Sequence, residues 1–195
     1  MKKINKIKNK FKQLKCCIII PTYNNDNTLE KVINNLLKYT EDIIVVDDGS
    51  TDSTNKILKQ YQNIYKLKNN DNYGKGFSLK RGMLFAKKNG LNYAITIDSD
   101  GQHYTEDIPK FIQEIETKSE NNTIIIGSRN LNKMDVPFSS RFGNNFSNFW
   151  FNFQTNIKLN DTQSGYRLYP TSIVEDIPLF SNKYEFEIEI IVKSA

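Results

Sequence analysis

Cysteine and long hydrophobic runs are scarce in this chain of 195 residues, and each scarcity excludes a class of protein. The two cysteines, Cys16 and Cys17, are adjacent within an apolar run, so we expect buried thiols rather than a structural disulfide or a zinc site. No apolar run approaches the ~20 residues of a transmembrane helix, and the N-terminus lacks the apolar core of a signal peptide. We therefore expect a cytoplasmic protein.

Acidic residues are absent from the first 15 positions, which contain seven lysines. Without these lysines the chain has 20 basic and 22 acidic residues, so the positive charge belongs to this leader, and a nucleic-acid-binding face is not expected. Ile4, Ile7, Phe11 and Leu14 recur at helical spacing between the lysines. Two interpretations stay open for residues 1–15: an amphipathic helix on an anionic membrane surface, or a frayed, solvated leader.

The remainder, residues 16–195, is expected to form one domain. With 38% hydrophobic and 25% charged residues, the composition is typical of a soluble globular protein. Apolar runs that end near residues 20, 47, 97 and 126 alternate with helical patterns. This alternation predicts an α/β fold with an open and mostly parallel sheet.

Polar side chains follow four of the predicted strands, at residues 22–24, 47–50, 98–102 and 128–129. In open α/β sheets, ligands bind at the edge formed by these carboxyl ends. Asp98 and Asp100 stand one residue apart directly after the strand predicted over 93–97. Their hard oxygen atoms suit a divalent metal beside a phosphate-bearing ligand, although a polar turn that caps a strand has the same short pattern. The single histidine of the chain, His103, follows these aspartates, and we expect it to make a hydrogen bond or face solvent rather than bind the metal.

The last third of the chain has two further patterns. Aromatic residues are concentrated in 137–153 at roughly helical spacing. Core packing explains some of them, and their density also suits a surface that lies against lipid or a lipid-linked acceptor. Over residues 183–193, apolar residues alternate with glutamates, and this period of two predicts a strand.

Six motifs follow one another along the chain: Pro21-Thr22-Tyr23-Asn24, Val46-Asp47-Asp48-Gly49-Ser50-Thr51-Asp52, Gly74-Lys75-Gly76, Asp98-Ser99-Asp100-Gly101-Gln102, Gly127-Ser128-Arg129 and Asp161-x-x-Ser164-Gly165-Tyr166-Arg167. They occur in the order seen in family 2 glycosyltransferases of the GT-A fold, which this chain resembles. Within the family, residues 16–193 resemble dolichyl-phosphate mannose synthases and bacterial polyprenyl-phosphate glycosyltransferases. The resemblance implies a Rossmann-like, open twisted sheet with helices on both faces. It also implies a helix over residues 184–193, which disagrees with the strand predicted there from the alternation of apolar and acidic residues.

The resemblance further implies a site for a nucleotide-sugar donor. The donor-binding residues that it implies are Pro21, Tyr23, Asn25, Asp48, Lys75, Asp98, Ser99, Asp100, Gln102 and Lys183. Among them, Asp98, Asp100 and Gln102 would hold Mg²⁺ or Mn²⁺, which would bridge the donor diphosphate and act as a Lewis acid. Lys75 would contact the donor phosphates at the start of a helix.

On the acceptor side, the resemblance implies that Arg129 and Arg141 bind a phosphate. A phosphate acceptor is already mostly anionic near neutral pH, so it needs positioning more than a strong base. Asp161 matches a position proposed as a base in this family. An equally supported role for Asp161 is to orient Arg129, Arg141 or the groups around the metal. The implied catalytic residues are Asp161, Asp100 and Arg129.

These implications describe a metal-dependent, inverting glycosyltransferase. It would move a hexose from a UDP- or GDP-linked sugar to a dolichyl or undecaprenyl phosphate at the cytoplasmic face of the membrane, as a peripheral protein. Transfer to a saccharide hydroxyl is one alternative, and a non-catalytic nucleotide-sugar-binding module recruited to a membrane is another. Family members usually continue beyond residue 195, so we expect a shortened C-terminal wall, or one supplied by a partner subunit.

Overall fold

The computed structural model describes residues 2–118, 123–128 and 138–195. The strands are β1 (Cys16–Thr22), β2 (Ile43–Asp47), β3 (Tyr65–Lys68), β4 (Tyr93–Thr96), β5 (Ile125–Ile126) and β6 (Arg167–Pro170). The helices are α1 (Lys2–Leu14), α2 (Asp26–Leu36), α3 (Thr54–Leu58), α4 (Lys75–Lys88), α5 (Ile108–Thr117), α6 (Phe138–Thr155), α7 (Ile173–Asp176) and α8 (Phe186–Lys193). A 3₁₀ turn, Thr105–Asp107, leads into α5.

The six strands among the described residues form one sheet in the order β3-β2-β1-β4-β6-β5. Strand β1 pairs in parallel with both β2 and β4, and β2 pairs in parallel with β3. Strand β6 is antiparallel to its two neighbours, β4 and β5. The predicted open and mostly parallel α/β sheet is confirmed.

Alternate residues of β1 face two separate hydrophobic cores, one on each side of the sheet. Ile18 and Ile20 pack with residues of α1, α2 and α5, whereas Cys17 and Ile19 pack with residues of α4, α6 and α8. Helices therefore cover both faces, which explains why β1 and β2, which are buried along their whole length, are almost continuously apolar. Both cysteine thiols are free and fully buried, and burial raises their pKa values well above the usual range.

Helix α1 packs most of its apolar stripe onto the domain. Phe11 is fully buried and Ile7 is 9% exposed within the core beside β1, while Ile4 remains 39% exposed. Lys10 forms an ion pair with Glu116 of α5. The leader is thus helical rather than frayed, and its stripe contributes to internal packing.

Helix α8 replaces the strand predicted from the alternation of apolar and acidic residues. Its buried positions are Phe186, Glu187, Ile190 and Ile191, which have helical spacing. The prediction from the period was wrong because it placed every glutamate on one solvated face, whereas Glu187 lies inside. The helix implied by the resemblance is confirmed.

The aromatic segment forms α6, as its spacing predicted. Its Phe151 is buried, whereas Phe146, Phe149, Trp150 and Phe153 are exposed. No helix within residues 2–118, 123–128 and 138–195 has both the length and the apolar character that a membrane span requires.

Candidate active site

A cleft of about 330 Å³ opens at the carboxyl ends of β1, β2 and β4. Nine of the residues predicted to bind the donor line it: Pro21, Tyr23, Asn25, Asp48, Lys75, Asp98, Ser99, Asp100 and Lys183. Five lining residues were not predicted as donor ligands: Thr22, Asn72, Gly74, Ser78 and Tyr184. The parallel register explains the convergence, since it places Thr22 at the end of β1 opposite Asp47 at the end of β2.

Asp48 fixes the loop that leads into α4. Its Oδ1 accepts hydrogen bonds from the Asn69 side chain at 2.6 Å and from the Tyr73 backbone N–H at 3.1 Å, and its Oδ2 accepts one from the Gly74 N–H at 2.7 Å. Gly74 has φ +100°, and a Cβ there would lie 2.6 Å from the Asn182 carbonyl oxygen. This position therefore requires glycine, and Asp48 positions the N-terminus of α4 at the cleft besides lining it.

Asn25 joins the loop after β1 to the turn that contains the paired aspartates. Its Nδ2 donates a hydrogen bond to Ser99 Oγ at 2.7 Å, and Thr28 Oγ1 donates one to the Ser99 carbonyl at 2.6 Å. Beside them, Thr22 is 3% exposed, and its hydroxyl has no hydrogen-bond partner among the described residues.

Asp98 lies between two basic side chains. Lys75 Nζ is 2.6 Å from Asp98 Oδ1, and His103 Nε2 is 3.3 Å from Asp98 Oδ2. Burial alone would raise the pKa of Asp98, but the hydrogen bond from His103 and the charge of Lys75 lower it well below its usual value. Asp98 is therefore a carboxylate at neutral pH, and His103 has the hydrogen-bonding role that we expected.

Lys75 also contacts Glu187 of α8, which the sequence did not reveal as a site residue. Its Nζ lies 3.1 Å from Glu187 Oε1 and 3.2 Å from Glu187 Oε2. Burial would lower the pKa of Lys75, but the two carboxylates outweigh burial and raise it. A largely buried cation thus bridges two carboxylates at the floor of the cleft.

The carboxylates of Asp98 and Asp100 fit a divalent cation, since Mg²⁺ is commonly held by one or two carboxylates together with substrate phosphates. Gln102 is exposed, does not line the cleft, and donates its backbone N–H to Asp100 Oδ1 at 2.9 Å. Within the described ranges, no group of three or more histidine, cysteine, aspartate or glutamate side chains is placed to hold a metal ion. The arrangement suits a cation shared between two aspartates and a diphosphate.

The predicted acceptor residues are only partly described. Asp161 is 1% exposed and accepts a hydrogen bond from the Gln163 N–H at 3.3 Å, but it does not line the cleft. Arg141 belongs to α6, and Arg129 lies outside the described residues.

Arg167, at the start of β6, holds the turn that follows Asp161. It is fully buried, and it donates hydrogen bonds to the carbonyls of Ser164 at 2.6 Å and Thr162 at 2.7 Å. A third hydrogen bond goes to the backbone carbonyl of Glu187. Arg167 thereby connects this turn to α8, a structural role that the motif alone did not specify.

Residues 17–177 match the family described as Glycosyl transferase family 2. The chain is 32% identical over 190 residues to the UDP-N-acetylglucosamine–dolichyl-phosphate N-acetylglucosaminyltransferase of Methanococcus voltae, an alignment that covers 86% of this chain and 75% of that protein. It is 29% identical over 210 residues to the dolichyl-phosphate beta-glucosyltransferase of Dictyostelium discoideum, covering 94% and 63% respectively.

Among solved structures, the fold is similar to glucosyl-3-phosphoglycerate synthase from Mycobacterium tuberculosis in complex with Mn²⁺, UDP and glucosyl-3-phosphoglycerate. The TM-score is 0.68 at 18% identity, over 96% of this chain and 67% of that one. This likeness establishes a GT-A-like fold. The family match extends over most of the chain and includes the cleft-lining residues between Pro21 and Asp100. The chain therefore belongs to glycosyltransferase family 2, and it is a glycosyltransferase.

Proposed function

We propose that this enzyme transfers a hexose from a UDP- or GDP-linked donor to a polyprenyl phosphate, with Mg²⁺ or Mn²⁺ and with inversion at the anomeric carbon. The observation that carries the proposal is the cleft in which Asp98 and Asp100 lie beside Lys75 and the N-terminus of α4. That combination of anionic, cationic and helix-terminal groups suits a nucleoside diphosphate with its counter-ion. The dolichyl-phosphate acceptors of the two relatives support the acceptor class.

On the donor side, Pro21, Tyr23 and Asp48 form the wall that would receive the nucleoside. Asn25 and Ser99 hold the turn of the paired aspartates against this wall through their 2.7 Å hydrogen bond. A divalent cation held by the aspartates would compensate the charge that develops on the leaving diphosphate. Lys75, at the start of α4, would add a positive charge on the same side.

On the acceptor side, the oxygen of a phosphate would attack the anomeric carbon while the bond to the donor diphosphate breaks. This nucleophile is already anionic near neutral pH, so the enzyme must hold it and compensate its charge rather than deprotonate it. Arg129 and Arg141 are the residues proposed for that task, with Asp161 as an orienting or basic group.

Helix α6 is the surface proposed to contact the membrane, at its cytoplasmic face. Its exposed aromatic rings cluster around Trp150, whose ring centroid lies 5.7–6.1 Å from the centroids of Phe146, Phe149 and Phe153. Buried Phe151 anchors the helix to one face of the sheet, whereas α1 packs on the other face. Tryptophan and phenylalanine are favoured on the membrane-facing side of helices that lie in the membrane–water interface, so α6 suits this role better than the leader.

A thermal-shift panel of UDP- and GDP-sugars, each with and without Mn²⁺, tests the donor half of the proposal. We expect one nucleotide class to raise the melting temperature, and only with the metal, because a ligand that binds the native state stabilises it. The Asp100→Asn variant should lose this shift. A panel without any stabilising donor would contradict the proposal.

The acceptor half is tested by offering lipid phosphates and saccharides to the same preparation. Transfer to a saccharide hydroxyl requires a base, so Asp161→Asn should abolish it, whereas transfer to a phosphate should survive in part. Transfer to saccharides alone would replace the proposed acceptor. Donor binding without any turnover would favour a binding module.

A further inference from the structure

Three charged side chains meet at the floor of the cleft. Lys75 Nζ lies 2.6 Å from Asp98 Oδ1 and 3.1 Å from Glu187 Oε1. A single ammonium group therefore connects the turn after β4 to helix α8. The side chains of Lys75 and Glu187 are 15% and 8% exposed. The contact is therefore a largely buried one, in which charge compensation matters more than at the surface.

Gly165 provides the space for this arrangement. A Cβ at this position would lie 2.7 Å from Lys75 Nζ, 2.8 Å from Asp98 Oδ2 and 3.0 Å from Glu187 Oε1. The chain thus approaches all three groups so closely that any side chain would displace at least one of them. The turn that precedes β6 is shaped around the charged cluster.

Glu187 has unused capacity to accept a hydrogen bond. Its Oε1 has no hydrogen-bond partner among the described residues, although Lys75 Nζ is within ion-pair distance. Its backbone carbonyl accepts a hydrogen bond from buried Arg167, which fixes this turn of α8 beside the cleft. Glu187 can therefore strengthen its contact with Lys75 without a change in the backbone.

A divalent cation that binds Asp98 competes with Lys75 for the same carboxylate. If Lys75 had no other partner, its displacement would leave a buried, unpaired ammonium group, which is strongly unfavourable. Glu187 removes this obstacle because it already lies on the far side of the ammonium group. The movement required is a small shift of Nζ from one carboxylate towards the other.

We infer that Glu187 is a positioning residue that receives Lys75 when a divalent cation takes Asp98, and so keeps Lys75 at the floor of the cleft. The inference rests on the proposed function, in which Asp98 binds a metal. It assigns Glu187 no contact with the sugar or with the acceptor. Its effect on metal binding is transmitted through Lys75.

A double-mutant cycle for Mn²⁺ binding, measured by isothermal titration calorimetry in the presence of saturating UDP or GDP, tests the inference. Glu187→Gln should weaken Mn²⁺ binding about tenfold, as for coupled charged neighbours, because Lys75 then stays on Asp98. Lys75→Met should tighten binding because it removes the competitor. In the Lys75→Met background, Glu187→Gln should change affinity less than about twofold.

Glu185→Gln is the matched control, since Glu185 is exposed at the start of the same helix and loses the same charge. It should leave Mn²⁺ affinity unchanged. Circular dichroism checks that each variant is folded. If Glu187→Gln does not fold, Glu187→Asp replaces it in the cycle, and its effect should likewise vanish in the Lys75→Met background.

Equal losses in both backgrounds would overturn the inference, because Glu187 would then act on the cation directly. An unchanged affinity in Glu187→Gln would also overturn it. In either case the metal site of the proposed function stands. If the wild type binds no Mn²⁺, that metal site fails, and the role of Glu187 fails with it.

Discussion

At the residue scale, Asp98 divides its two oxygens between Lys75 and His103, at 2.6 and 3.3 Å. The lysine and histidine keep the carboxylate charged and fix its orientation. The amide of Asp98→Asn would keep the shape but remove the charge. We expect the variant to lose Mn²⁺-dependent donor stabilisation and to lower kcat/KM about 100-fold or more, which corresponds to a few kcal/mol of transition-state stabilisation.

The matched control for that substitution is Asp107→Asn. Asp107 is in the 3₁₀ turn, and its partner Lys110 is an exposed side chain. Neither kcat/KM nor the Mn²⁺-dependent rise in melting temperature on donor binding should change, since surface ion pairs contribute little to stability. An Asp98→Asn enzyme with wild-type kcat/KM would contradict the assigned role of Asp98.

At the element scale, Glu189 of α8 holds the preceding loop by accepting hydrogen bonds from the backbone N–H groups of Phe180 and Ser181. Burial alone would raise its pKa, but hydrogen bonds, including one from Lys193, lower it from 4.5 to about 2. The folded protein therefore binds this proton more weakly than the unfolded chain. The resulting stabilisation is complete above pH 4.5 and decreases as the pH falls towards about 2.

Glu189→Gln should accordingly lower the free energy of unfolding by about 1–3 kcal/mol at neutral pH, as for hydrogen bonds to a charged group. The difference from the wild type should shrink as the pH falls below 4.5. Urea denaturation at several pH values measures it. A difference that stays constant with pH would contradict a role for the ionised carboxylate.

Helix α1 is the element for which packing and membrane binding make opposite predictions. Phe11 is fully buried, so Phe11→Ala should lower the free energy of unfolding by about 3–5 kcal/mol. Ile4 is 39% exposed, so Ile4→Ala should lower the free energy of unfolding much less. Urea denaturation of both variants gives the comparison. Small and equal losses of stability in the two variants would indicate that the apolar face of α1 is not packed on the domain and can contact a membrane.

Helix α6 offers the corresponding test of membrane contact. Phe149 and Phe153 are 63% and 73% exposed, so replacing both by serine should reduce liposome co-sedimentation several-fold without lowering the melting temperature. Tyr104→Ser, at a 69% exposed aromatic residue outside α6, is the matched control. Undiminished co-sedimentation of the Phe149 and Phe153 variant would exclude α6 as the contact surface.

Elements whose burial follows a local sequence pattern could be predicted from the sequence. Elements whose burial depends on residues far away in the chain could not. The strands buried on both faces, such as Ile43–Asp47, are continuously apolar, and polar groups mark their ends. In α8, burial of Glu187 depends on a lysine about 110 residues earlier in the sequence, which no local period reveals. In α1, Phe11 has the same spacing whether its partner is a membrane or the core of its own domain.

At the scale of the whole molecule, the cleft depends on strand order. The motifs predicted which residues share the carboxyl edge, because β1, β2 and β4 run in parallel. They did not predict that β6 would lie between β4 and β5, antiparallel to both. That insertion brings Gly165 next to Lys75 and Asp98, and Arg167 next to the backbone carbonyl of Glu187, and no sequence period specifies it.

The measurement that tests the central claim most directly is transfer of a radiolabelled hexose from UDP- and GDP-sugars to polyprenyl phosphate in liposomes. With Mn²⁺ or Mg²⁺, we expect a lipid-linked product from one donor class and at least about 100-fold less product from Asp98→Asn or without metal. Formation of the product at the same rate without metal or with Asp98→Asn would contradict the account. So would a preparation that binds donor and metal but forms no lipid-linked sugar.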